Sequence, residues 1–166
     1  MPLSSRLQMG EKQDRLSLAY NTFFSDLYVP TPAEDTVNLR FVIAGKGTPP
    51  DEASLTLQIC LKPGEELETG AGRRISLCTE PLDLAPEALG GWIRHHGWTL
   101  KFDPTARLVW PVYPYNPYAA GPEKGLEHAV ATLSVPLRLN SQPGRFVRPA
   151  EQEISFSVTA PRTQAP

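Results

Sequence analysis

The chain has 166 residues, 18 of them proline and 12 glycine, with 40% hydrophobic residues and a formal charge of −2 at pH 7. Proline stands at roughly twice its usual share of about 5%, but without a Gly-X-Y period and short of the ~25–30% Pro plus Gly of low-complexity chains, which excludes collagen and wholesale disorder. The near-neutral balance excludes a broad electrostatic footprint for nucleic acid, and no run of about 18 apolar residues is present to span a bilayer.

Residues 1–13 lack apolar periodicity, contain no aromatic residue and read as a flexible N-terminal segment. One domain over 14–160 follows, and 161–166 read as a tail. The opening Met-Pro-Leu-Ser-Ser-Arg-Leu-Gln has no apolar core of a secretory signal. That favours a cytoplasmic protein, unless the chain was cut from a longer precursor.

Alternation with a period of two then dominates. Leu16, Leu18 and Tyr20 alternate with Ser17 and Ala19, and Leu27-Tyr28-Val29 stops at Pro30. Val37, Leu39, Phe41 and Ile43 form the next apolar face, before Gly45 to Pro50 break the chain. The cleanest strand, Leu55 to Leu61, ends in Lys62-Pro63-Gly64, where proline pre-sets φ and glycine accepts a positive one. Further strands are expected over 73–79, 98–102, 108–112, 133–139 and 154–158. Such short strands with turn signals between them predict an all-β fold, an antiparallel β-sandwich of about eight strands.

Two segments depart from alternation. Leu89, Trp92, Ile93 and His96 are spaced as on a helix. With Asp83 as cap and Pro86 in the first turn, one short helix is expected near 86–93, kept short by Gly90-Gly91. Over 122–133 helical and strand patterns compete, and Ala129, Ala131, Leu133 and Val135 favour a strand from about 128. Cys60 and Cys78 lack metal or redox spacing and read as free thiols.

The most unusual segment is Trp110-Pro111-Val112-Tyr113-Pro114-Tyr115-Asn116-Pro117-Tyr118. Proline at every third residue is the repeat of a polyproline II ribbon. Aromatic faces with hydroxyl tips suit a carbohydrate or a protein surface, since they supply apolar area and hydrogen bonds at low entropic cost. Trp98, Trp110, Tyr113, Tyr115, Asn116 and Tyr118 are therefore the candidate ligand-binding residues. The plainer reading is a ribbon capping a sheet edge, with Trp110 in the core.

His95, His96 and His128, with Asp103, Glu123 or Glu127, make a metal site chemically conceivable, although no ligand spacing supports one. His96, on the face of Leu89 and Ile93, reads more simply as a core-edge histidine. No G-x-S-x-G nucleophile motif is present, and Glu65, Glu66, Glu68, Asp51 and Glu52 read as solvated turn carboxylates. Gly70-Ala71-Gly72-Arg73-Arg74 resembles a phosphate loop only superficially, because a strand and no helix follows it. Arg138, Arg145 and Arg148 form a small positive patch that reads as a solvated face.

The function expected is thus a non-catalytic binding or interaction module for a glycan or a partner protein, without a cofactor. Nucleic acid and membrane insertion are not expected, and homo-oligomers through edge strands are a further option. The alternative is a small β-fold enzyme built on a histidine and a carboxylate, with or without a metal.

Overall fold

The computed structural model describes residues 5–9, 15–20, 23–45, 53–78, 80–113, 125–126, 129–137, 141–142, 145–146 and 150–158, and the structural statements below concern these. In chain order the strands are β1 (Ser5–Met9), β2 (Arg15–Tyr20), β3 (Phe23–Tyr28), β4 (Thr36–Gly45), β5 (Ser54–Ile59), β6 (Glu66–Thr69), β7 (Arg74–Ser76) and β8 (Leu82–Leu84). After the short helix α1 (Pro86–Leu89) come β9 (Trp92–His95), β10 (Trp98–Lys101), β11 (Arg107–Val112) and β12 (Val130–Pro136). A small hairpin of β13 (Ser141–Gln142) and β14 (Arg145–Phe146) precedes the last strand, β15 (Ala150–Val158). The protein is an all-β antiparallel sandwich with one short helix, the class that the alternation predicts. Among the described residues no helix is long and apolar enough to cross a membrane.

The chain divides into two compact units, residues 1–53 with 136–157, and residues 54–135 with 158–166. In the first, β1 to β4 form an antiparallel meander, and β15 returns to pair with β4. The register sets Leu16 opposite Leu27, Leu27 opposite Phe41 and Leu39 opposite Ile154. One face of this sheet is therefore apolar. The other face holds Ser17 donating to Asp26 at 2.6 Å and Arg40 paired with Glu151 at 2.8 Å. β1 lies within the segment expected to be irregular. Its alternation of Leu7 and Met9 with Arg6 and Gln8 spans too few residues to stand out in the sequence.

In the second unit β7, β6, β9 and β10 lie side by side, as do β5, β12, β11 and β8. Its core takes Leu67, Ile93 and Leu100 from the first set and Leu84, Leu108, Trp110, Ala131, Leu133 and Val135 from the second, with Leu89 of α1. Burial alternates along β12, as the run from Ala129 to Val135 predicts.

The helix is shorter than the 86–93 expected. Gly90 takes φ +63° as its C-cap and donates to the Pro86 carbonyl at 3.0 Å, and Gly91 follows at φ +83°. Two successive left-handed residues end the helix, and Trp92 to His95 become a strand. Asp83 does not cap it either. Ala85 holds that position without a side-chain bond, while Asp83 sits in β8 and pairs with Arg107 of β11.

Candidate functional site

The aromatic-proline segment divides at Tyr113. Trp110 has no exposed surface, and its indole packs in the core with Nε1 lacking a hydrogen-bond partner among the described residues. The Trp110–Pro111 peptide is cis, and the β11–β12 register slips between Val109 and Val112. Pro111 thus falls at the irregularity, where its missing N–H costs no ladder bond. Tyr113 is 41% exposed. Tyr115, Asn116 and Tyr118 lie outside the described residues. Trp98 is half-buried and meets His95 edge-on, with ring centroids 5.6 Å apart.

The two adjacent histidines play opposite parts. His95 is buried, accepts the Lys62 backbone N–H on Nε2 at 2.8 Å, and places Nδ1 2.9 Å from the Glu66 carbonyl. Because the Lys62 N–H must donate, Nε2 accepts and Nδ1 carries the proton. Both nitrogens are committed to backbone. His96, expected at the core edge, is instead exposed in the β9–β10 turn at φ +42°, followed by Gly97 at +85°. Two successive positive φ values suit the twist of a two-residue hairpin. The correction follows from strand geometry: alternation buries positions 93 and 95 and sends 96 outward.

His96 Nδ1 lies 3.8 Å from Glu65, whose carboxyl is held below the usual range by the ammonium of Lys62. The described residues contain no group of three or more His, Cys, Asp or Glu side chains placed to hold a metal, and His128 lies outside them. Cys60 and Cys78 are exposed free thiols.

A cleft forms elsewhere in the second unit. With a volume of about 270 Å³, it is lined by Glu68, Thr69, Gly70, Gly72, Arg73, Arg74 and Trp92. The β6–β9 pairing sets Glu68 opposite Arg94 and Thr69 opposite Ile93, and the Gly70 N–H extends it by donating to the Trp92 carbonyl at 2.9 Å. Gly70 is obligatory there. A Cβ at this position would run into the Gly90 carbonyl oxygen and stand 2.8 Å from Trp92 Cδ1. The Thr69–Arg73 turn contributes to the lining, and in it the Arg73 N–H reaches Thr69 Oγ1 at 3.3 Å and the Gly72 N–H reaches the Thr69 carbonyl at 2.9 Å.

Charge is organised around one carboxylate. Glu68 pairs with Arg74 at 3.0 Å and with Arg94 at 3.4 Å. The Arg94 guanidinium lies 5.5 Å above the Trp92 ring and donates from Nε to Thr99 Oγ1 at 3.3 Å. Among the described residues Arg73 makes no ion pair. Two guanidinium groups therefore share one carboxylate, one of them lies over the indole, and Arg73 joins them in the lining.

Comparison with protein-family models, curated proteins and solved structures finds no match.

Sequence reasoning passes over this site for two reasons. Trp92 and Ile93 both stand at helical spacing from Leu89, and the Gly-Ala-Gly-Arg-Arg run invites comparison only with a phosphate loop. The usable signal is the combination of Gly70 and Gly72 with Gly90 and Gly91, because two glycine-bearing turns permit a backbone approach that other residues forbid.

Proposed function

We propose that the chain is a non-catalytic β-sandwich binding module whose ligand is a carbohydrate, taken against Trp92. The observation that carries this reading is the open cleft in which an indole lies among paired arginine and glutamate side chains. An aromatic face supplies apolar area to a sugar ring, while guanidinium and carboxylate groups supply donors and acceptors for its hydroxyls. Tyr113, exposed within the aromatic-proline segment, supports a second contact surface. A partner protein is the other ligand class that such a surface fits. The histidine-centred enzyme is less well supported, since His95 is buried with both ring nitrogens bonded to backbone.

The test is a glycan array followed by titration calorimetry of the hits. Binding is expected to fall by at least about tenfold in Trp92→Ala and to survive in part in Trp92→Phe, as stacking contributes on the order of 1 kcal/mol or more. Tyr113→Ala measures the share of the second surface. An array without hits, together with protein-partner binding indifferent to Trp92→Ala, would sink the proposal.

A further inference from the structure

Resting on that reading of the cleft, we infer that its ligand is an acidic saccharide, one that carries a carboxylate or a sulfate on the sugar ring. Glu68 is the sole carboxylate lining the cleft and is shared between Arg74 and Arg94, leaving Arg73 without an ion pair among the described residues. The lining carries two guanidinium groups, Arg73 and Arg74, against that one carboxylate, which Arg94 beside the cleft also engages, so the site has a positive excess within a chain whose formal charge is −2. The pairs are also exchangeable. Arg74 and Arg94 side chains are 71% and 54% exposed, and exposed ion pairs hold weakly against competing ligands. A planar guanidinium binds a carboxylate or a sulfate through two parallel N–H donors.

The mixed sign of the lining narrows the ligand further. Glu68 lies between the arginines with its side chain 25% exposed, and it repels a ligand that is anionic along its whole length, such as a polyphosphate. A saccharide separates its acidic groups with hydroxyls. Those hydroxyls can donate to Glu68 while the acid accepts from Arg73 and Arg74. The Trp92 ring, covered on one side by Arg94, is the apolar surface for the ring carbons.

The experiment titrates the full chain at low ionic strength with four ligands: an oligogalacturonate, a heparin-derived hexasaccharide, maltohexaose and tripolyphosphate. At least one acidic saccharide is expected to bind roughly tenfold more tightly than maltohexaose, the scale of one charge-assisted contact, with affinity falling as salt is added. The ratio between the two acidic saccharides tells carboxylate from sulfate. Arg73→Gln is expected to remove most of that preference without changing the melting temperature, since the side chain supports no ion pair among the described residues.

Equal binding of maltohexaose and the acidic saccharides, unaltered by Arg73→Gln, overturns the acidic preference and leaves the carbohydrate reading intact. Tripolyphosphate binding more tightly than either acidic saccharide overturns the inference in favour of a polyanion site. If no saccharide binds, both this inference and the carbohydrate reading fall.

Discussion

Gly70 and Gly72 stand two positions apart in one turn, and the structure asks different things of them. At Gly72 the backbone takes φ +79°, and a Cβ added there would meet nothing within 4 Å, so only conformation is at stake. Gly72→Ala is expected to cost about 1–2 kcal/mol, the penalty of a left-handed residue with a side chain. At Gly70 the obstacle is steric, because the new carbon would run into the Gly90 carbonyl and Trp92. Gly70→Ala must push two turns apart. It is expected to cost more than about 2 kcal/mol, on the scale of overpacking, and to displace Trp92 and weaken ligand binding. Urea unfolding of both variants measures this, and equal losses would show that the close approach is not structural. These roles are only partly legible in the sequence. Glycine at 70, 72, 90 and 91 marks turns in any sequence, but which pair touches depends on the pairing of β6 with β9. The histidines teach the same lesson, since a helical reading assigns His96 inward and the strand assigns His95.

Among elements, β8 is weakly marked in the sequence and carries one ion pair to its neighbour β11. Its three residues pair with β11 through Leu84 opposite Leu108, Asp83 opposite Val109 and Leu82 opposite Trp110. Arg107 spans the same two strands, donating from Nε to Asp83 Oδ1 at 2.7 Å and from Nη2 to Oδ2. That bidentate contact holds the Asp83 carboxyl below its usual range, chiefly through the hydrogen bond from Arg107. A carboxyl whose folded pKa is lowered adds stability above its ordinary titration range of about 3.9, and that stability is lost as pH falls through the folded value. Wild type is therefore expected to lose more melting temperature than Asp83→Asn between pH 6 and pH 3. The difference should be small and shrink in 0.5 M salt, because both side chains are exposed. Melts of equal pH dependence in the two proteins would remove the pair from any role in holding β8. The sequence pattern presents Asp83 as a helix cap, since Leu82-Asp83-Leu84 is too short to display alternation by itself. β6 escapes notice for a related reason: Glu66-Leu67-Glu68-Thr69 has one apolar residue, although that residue, Leu67, is fully buried.

For the whole molecule, alternation and turn residues make the all-β sandwich legible, because those signals are local. The division into two units is not legible, since it depends on β15 returning to pair with β4 across more than a hundred residues of chain. The partition carries an energetic asymmetry. Of the buried apolar side chains among the described residues, only Ile43, Ala150 and Ile154 belong to the first unit. The second unit holds all the rest, including Leu67, Leu89, Ile93, Leu108, Trp110 and Leu133, each with at most a trace of exposed surface. At roughly 1.5–3 kcal/mol for each large apolar side chain removed from water, the described residues of the second unit gain more from burial than those of the first. Local opening follows buried contact, so backbone amides of β9, β11 and β12 are expected to exchange with deuterium more slowly than those of β2 and β3. The three tryptophans, Trp92, Trp98 and Trp110, all lie in the second unit, so their fluorescence follows that unit alone. In urea the fluorescence transition is accordingly expected at a higher midpoint than the loss of the far-ultraviolet strand signal, to which both units contribute. Coincident midpoints and uniform exchange across β2, β3, β9, β11 and β12 would instead mean that the chain unfolds as one cooperative body.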